Sequence, residues 1–537
     1  MRGDKTRVKL GALVIATALV LMGMTALTGC IEEEEEVDEM RIGMTDEPGR
    51  FNPIEQTDVY SSQVFNNIFD TLTSTYPDGE IHTDGYGTLL EDYEISEDGL
   101  TYTFDLVDDA YFHHGEQVTA EDLAFSFRAH EGTAEEYYDV DDIPESPRQG
   151  DTEEVDDVEV VDETTFRMHL NDVNSEWLNS GLMAQLWALP HEWIEENSYE
   201  EFSDDFIGYG PYEFVEYSPG DEIVLEKYDD YHGENADIER IVFEVFDEEA
   251  SAISAIRAGR IHYIPTIGAT NYFDLVEEED PDVNPVSVPS LGHSRIGFNH
   301  EEEPFDDARV RKAFAYAIDN EEVIDAVRTE DLATNLRTPV SEHHPAHYED
   351  HNLYERDLDR AEELLEEAGY PDGPDMEIDT VVPTGDSEDE MVMVQEHVAE
   401  VGFDMDLRVV EFGTAVEEME AGNWHVHTMG WTPTASAEYA MTYFRPTSPW
   451  NARVGWWNST YAWRFEENIT QALRSFGDEQ IEHYQNAQEH LVDDMAAFIM
   501  YLREDPAVYH SDLDIDEEMW NPYEGPVTHL NYVEWAD

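Results

Sequence analysis

Apolar and polar positions along this chain switch between two periods. From Leu100 to Leu106, Tyr102, Phe104 and Leu106 alternate with Thr101, Thr103 and Asp105, the period of a half-buried strand. Thr119 then opens a helix, with Asp122 three residues on as an acidic capping-box partner and Leu123, Ala124 and Phe127 as its inward stripe. Residues 158–161 and 166–170 read as strands across an Asp162–Glu163 turn, and 223–225 and 241–245 as further strands. The clearest helix starts at Asp306–Asp307, where Val310, Ala313, Phe314, Ala317 and Ile318 fall on one face. Another starts near Asp357 and turns Leu358, Ala361, Leu364, Leu365 and Ala368 inward. Gly369 at its C′ position and Pro371 beyond end it. A third runs from about Gln480 to Met495. Strands and helices mix without strict β-α-β alternation, and no period of roughly 20 to 50 residues recurs. The pattern predicts an α/β protein with inserted segments rather than a repeat array.

The chain has 537 residues, which at roughly 150 per domain is three or four domains' worth. With 41% apolar and 12% aromatic residues, it has the material for a packed core, so global disorder is excluded. Charge narrows the picture further. There are 127 acidic against 27 basic residues, a net charge of -100. Such a surface repels nucleic acid and anionic lipid headgroups along its whole length. The only lysines are Lys5, Lys9, Lys227 and Lys312. Acid-rich, lysine-poor surfaces suit molar salt, where the Debye length is about 3 Å and self-repulsion is screened. A halophilic source is therefore expected.

The N-terminus reads as an address. Arg2, Lys5, Arg7 and Lys9 precede an uncharged, mostly apolar run from Leu10 to Leu27. Leu27-Thr28-Gly29-Cys30 follows, then Ile31 and five glutamates. These are the parts of a secretory signal ending at a lipobox, with Cys30 as the lipidated first residue and the glutamates as a solvated tether. No Arg-Arg pair supports a twin-arginine route. Cys30 is the only cysteine, so neither a disulfide framework nor a cysteine metal cluster forms within one chain.

Catalytic chemistry is poorly represented. His191-Glu192-Trp193-Ile194 starts like a zinc motif, but Glu195 stands where the second histidine belongs. His425 and His427 share one face of a strand but are only two ligands, and His113–His114 and His343–His344 point opposite ways, so no metal site is expected. There is no G-x-S-x-G elbow and no phosphate loop. With 127 carboxylates, no pair stands out as an acid–base dyad. This favours a binder over an enzyme, and no cofactor is expected. The positive signal is aromatic: Trp424, Trp431, Tyr439, Tyr443, Phe444 and five more rings fall within 424–463 among Gly430, Pro433, Pro446, Pro449 and Gly455. Tryptophans on loops suit a ligand cleft. Asn458-Ser459-Thr460 and Asn468-Ile469-Thr470 are weak candidate glycosylation sequons.

Five ordered blocks then resemble one family, the extracytoplasmic solute-binding proteins of ABC importers that include oligopeptide- and dipeptide-binding proteins. They are Asp98–Phe104 with Phe112-His113-His114-Gly115 and Thr119–Phe127; Gly208–Phe214 with Pro219-Gly220 and Asp230–Gly233; Ala255–Ile261; Gly297-Phe298-Asn299 with Pro304–Ala313; and Ala361–Gly369 with Tyr370–Gly373. The resemblance covers about Met40 to Asp537. It implies a two-lobed periplasmic-binding-protein-like α/β fold with a hinge and an extra domain inserted in lobe 1. By that analogy 1–29 is signal peptide and 30–37 tether. Lobe 1 takes 38–81, 206–291 and 506–537, the inserted domain 82–205, and lobe 2 292–505.

The resemblance also implies a ligand cleft at Gly430–Trp431 and at Glu47, Pro48 and Gly49 ahead of Phe51-Asn52-Pro53. The family's peptide binders hold the ligand ammonium with an aspartate three residues past that tryptophan. Here the residue is Thr434, and a hydroxyl does not replace a carboxylate opposite a buried cation. Glu438 is the substitute candidate. The implied function is a lipid-anchored substrate-binding component held outside the cell membrane, working as a monomer with ABC permease and ATPase subunits. A peptide or similar small solute is the expected ligand; an oligosaccharide or a metal chelate are the alternatives within the family. An extracellular hydrolase would need a nucleophile that is not found, and a receptor feeding a sensor is the remaining rival.

Overall fold

Alternation from Leu100 to Leu106 becomes one strand of a four-stranded antiparallel sheet in the computed structural model, ordered Leu90–Ile95, Thr101–Leu106, Thr165–Leu170, Val155–Val160. The structure describes residues 38–537 except 57, 76–80, 84–86, 180–181, 329–331, 350, 385, 432–435, 449–450, 452–453, 516–519, 522–524, 527–528 and 537. The expected signal segment, Cys30 and Thr434 lie outside the described residues. In the small sheet, Phe104 stacks on Phe166 with ring centroids 4.8 Å apart. The Ala120–Glu131 helix packs against the same sheet, started by Asp122 accepting from the Thr119 N–H at 2.8 Å and ended by Gly132 in the left-handed region. Tyr102, Phe104, Phe127 and Phe166 share one continuous core with Met40, Phe65, Tyr209 and Ile241. The elements between 90 and 170 therefore pack as one body with the first lobe.

A larger mixed sheet runs through the molecule. Its order is Asp404–Val410, Glu377–Pro383, Val426–Trp431, Val283–Phe298, Ala497–His510, Tyr263–Ile264, Glu39–Met44, Arg240–Val245, Glu222–Lys227, Tyr212–Ser218. The first three strands are parallel, connected through the Asp386–Ala399 and Phe412–Ala421 helices, as parallel pairing requires. A second core, including Ile296, Phe314, Leu365, Ile378, Val426, Phe465, Leu491 and Phe498, fills this lobe. The two-lobed α/β architecture agrees with the expected fold class.

Among the described residues, two long strands belong to both lobes. Val283–Phe298 and Ala497–His510 pair antiparallel from Val283↔His510 to Pro289↔Glu504, and again from His293↔Leu502 to Gly297↔Ala497. Between Pro289 and His293 one strand advances four residues while its partner advances two. The slip falls between Val288, in the first core, and Ile296, in the second. Unmatched residues interrupt the ladder and bend the strand, so this is where the lobes can pivot.

The predicted helices of lobe 2 form. Asp307 caps Ala308–Ala317, Asp357 caps Leu358–Ala368, and Gly369 ends the latter at φ 100°. The third covers Asp478–Asp494, and its last carbonyls are met by an arginine from the first. Arg311, fully buried, donates to the carbonyls of Met495 at 2.9 Å, Asp494 at 2.7 Å and Phe305 at 2.7 Å. Its guanidinium also lies 3.4 Å from the Asp494 carboxylate. Burial lowers its pKa to about 10, and Asp494 opposes that fall, so the group stays charged at neutral pH. Removing it strands a buried carboxylate and helix-end carbonyls together. Arg311→Met should cost about 3–5 kcal/mol by urea denaturation. Arg309→Ala, two residues earlier in the chain and bonded at the surface to Asp307 and to the Glu367 carbonyl, should cost less than about 1 kcal/mol.

Candidate functional site

Trp431 ends the Val426–Trp431 strand, in register with His293 just past the slip. The next described element, the Ala437–Met441 helix, is capped by Ser436, whose hydroxyl accepts from the Tyr439 N–H. It returns Tyr439 and Tyr443 to the tryptophan. The Trp431 ring lies 5.3 Å from Tyr439 and 4.6 Å from Tyr443, edge to face in the second case. Below them Arg295, fully buried, lays its guanidinium over the Tyr443 ring at 4.5 Å. Burial holds His293 neutral, well below its ordinary pKa, and Arg295 and Arg503 add to that.

Polar groups of the other body face this aromatic wall. Arg148, just ahead of the short Gln149–Glu154 helix, donates to the Gln185 carboxamide and lies 3.9 Å from Asp151. Gln56 donates to the same Gln185 oxygen at 2.7 Å, and Gln185 reaches Ser62 at 3.4 Å. Burial raises the Tyr439 pKa, Asp151 raises it further, and Arg148 opposes the rise, so both charges act on this ring from the opposite body. Burial likewise lowers the Arg148 pKa against the pull of Asp151 and Tyr439. An aromatic platform opposite amide groups and one partly buried arginine suits a flat or peptide-like solute with polar edges. Among the described residues here, no nucleophile is paired with a base.

The structure separates the other expected site residues. Glu47, Pro48 and Gly49 follow the Glu39–Met44 strand in lobe 1. The Glu47 carboxylate accepts from the Tyr217 hydroxyl and the Gly220 N–H, both at 2.8 Å, so it holds a hairpin turn. Among the described residues no hydrogen bond joins this loop to Gly430 or Trp431. Glu438 is engaged as well: Arg445 donates to it and to Glu466, which also accepts from Thr447. That triad engages Glu438 within its own lobe, with one arginine shared between two carboxylates. Thr434 lies outside the described residues.

The histidine pair has structural duties. His427 is buried against Trp424 at 4.8 Å, and His425 Nδ1 accepts from the Asp379 N–H at 3.0 Å. Among the described residues no cluster of three or more potential metal ligands forms. Asn458 is exposed, whereas Asn468 lies within the Thr460–Ala472 helix and donates to the Arg464 carbonyl. Sequence reasoning passed over Arg148, Gln185 and Gln56, which belong to no local motif. Their one available signal was Arg148 itself, a lone cation in an acidic tract.

Comparison with known proteins points the same way. A family model described as "Bacterial extracellular solute-binding proteins, family 5 Middle" matches residues 86–452. The oligopeptide-binding protein AppA of Bacillus subtilis is 26% identical over 419 residues, 73% of either chain. Heme-binding protein A of Haemophilus influenzae is 28% identical over 326 residues, 58% of either chain. The solved structure of HbpA2 from Haemophilus parasuis superposes with a TM-score of 0.82 at 21% identity, covering 93% of this chain and 100% of that one.

The two rings at the mouth should behave differently when truncated. Trp431 is half-buried against the second core, whereas Tyr439 is 37% exposed at its edge. Trp431→Ala should lower stability by about 2–4 kcal/mol and Tyr439→Ala by less than about 1 kcal/mol, read from urea midpoints.

Proposed function

Because the chain belongs to family 5 of the bacterial extracellular solute-binding proteins, we propose that it is the substrate-binding component of an ABC importer, taking a peptide or similar small solute between its lobes. Proteins of this family bind solutes outside the cytoplasm for ABC permease and ATPase subunits, and the chain is a binding protein rather than an enzyme. One observation carries the reading of the site: Trp431, Tyr439 and Tyr443 pack together on one lobe, and Arg148 and Asp151 act on Tyr439 from the other, beside two long strands that both lobes share. Closure about the Pro289–His293 slip would bury a solute between them. Lobe 1 is read as 38–81, 206–291 and 506–537, the inserted domain as 82–205 and lobe 2 as 292–505. Lipid on Cys30 would hold the protein at the outer membrane face on its glutamate tether. The oligopeptide-binding relative favours a peptide ligand. Thr434 in place of a carboxylate argues that a free α-amine is not the main anchor.

The test is capture. Chain purified from residue 38 onward, stripped of co-purified solute, should bind components of a di- to hexapeptide mixture in native mass spectrometry. Binding should change tryptophan emission and shrink the radius of gyration. Retention of an oligosaccharide, heme or nickel–histidine in place of any peptide would overturn the ligand class and keep the family.

Salt provides a second check. With a net charge of -100, self-repulsion should dominate at low ionic strength, and screening is nearly complete near molar salt. The thermal midpoint should rise steadily from about 0.1 M to about 2 M KCl in circular dichroism. A flat profile would remove the halophilic reading.

A further inference from the structure

Away from the aromatic wall, the lobes also touch directly, along a seam that solute capture does not require. Ser175 donates its N–H to the Leu473 carbonyl at 2.9 Å and its hydroxyl to the Ala472 carbonyl at 3.1 Å. Arg474 pairs with Asp172. Gln480 reaches back to Ser175 at 3.0 Å and to Glu176 Oε1 at 2.7 Å. One partner in each contact comes from 172–176 and the other from 472–480.

At the centre of the seam is a carboxylate. Glu176 is only 7% exposed. Asn179 approaches it from its own side, and Ser436 and the Ala437 N–H from the other lobe. Among the described residues, the titratable groups that act on it directly are acidic or phenolic. Tyr102 lies on its own body; Glu438 and Tyr484 lie on the opposite one. Arg445 acts on Glu154 and Tyr484 but is already shared by Glu438 and Glu466. An ionised Glu176 therefore enters a dry seam that already holds Glu438, with no cation of its own.

We propose that Glu176 is a latch across the lobes that holds them together when it carries a proton and releases them when it does not. The proposal rests on the two-lobe closure described above. In the closed arrangement burial raises the Glu176 carboxyl to about 7, and Glu438 adds to the rise. Asn179, Ser436 and the Ala437 N–H oppose it. In separated lobes the group returns to water and to an ordinary glutamate value near 4.3. The closed form then holds its proton more tightly than the open one. Linkage sets the sign: closure is favoured as pH falls below 7 and is penalised as pH rises through it. A binder of this kind would hold its cargo in acid surroundings and give it up more readily in alkaline ones.

The experiment uses the protein without solute, so failure of the capture reading leaves it intact. Small-angle X-ray scattering at constant molar KCl reports the closed fraction at about pH 5.5 and about pH 8. The closed-to-open ratio of the native protein should fall on the order of tenfold across that range. Glu176→Gln keeps an acceptor for Gln480 and removes the charge, so it should remain closed at both ends with most of the response lost. Gln480→Ala, on the opposite lobe, should lower the closed fraction at the acid end. A native radius of gyration that does not change with pH would overturn the latch, even if added peptide still closes the lobes. So would a Glu176→Gln protein that responds like the native one. If Glu176→Gln does not fold, normal acid-end closure in Gln480→Ala overturns the proposal by itself.

Discussion

Everything in this protein hangs on two strands that must satisfy two cores at once. Val283–Phe298 and Ala497–His510 hydrogen-bond to each other, while each lobe builds its own sheet outward from them. A continuous ladder would make one stiff sheet. The slip between Pro289 and His293 breaks it where Val288 leaves one core and Ile296 enters the other. Proline contributes no N–H to a ladder, so its place at the start of the slip costs nothing that regular pairing would have supplied. Each lobe can then be rigid internally while the pair bends between them. A solute held at this junction would be buried by a small rotation of the two bodies, which is why the proposed site is placed there.

The second constraint is charge. With 127 acidic residues, the few cations are placed where they serve more than neutralisation. Arg311 gathers the carbonyls at a helix end. Arg337, also buried, donates to the Leu336, Ile499 and Met500 carbonyls beneath the second core and lies over the Phe498 ring at 4.4 Å. Arg295 supports Tyr443 from below. A planar fork with five donors meets several carbonyls and a ring face at once, which a lysine ammonium does not. The interior use of arginine and the acidic exterior are thus two sides of one composition.

One five-residue helix joins the aromatic wall to the seam between the lobes. Ala437–Met441 carries Tyr439 into the aromatic wall, while its first turn, Ser436 and Ala437, faces Glu176 across the seam. Glu438, between them, is held by Arg445. A shift of this helix therefore moves the wall and the seam together. Arg148 and Asp151 act on Tyr439 from the other body, so the aromatic wall and the lobe contact share one short stretch of chain.

Much of the fold was legible in the chain. Alternation marked Thr101–Leu106, the capping residues Asp307 and Asp357 marked two helix starts, and Gly369 marked an end, because these depend on neighbours within about one turn. Five ordered motifs identified the family, and with it the two-lobed plan. The site was only partly legible. Gly430 and Trp431 carry a motif that the chain shows, whereas Arg148, Gln185, Gln56 and Glu176 carry none. They come from separate stretches that only folding brings beside one another, beside Tyr439 or beside Gln480. Glu438 and Glu47 are carboxylates next to a motif whose partners, Arg445 for one and Tyr217 and Gly220 for the other, no local pattern announces. Local pattern decides which elements form, because hydrogen bonds and helix faces are short-range. Which side chains remain free to meet a solute is decided by long-range pairing, and that exists only in the folded chain.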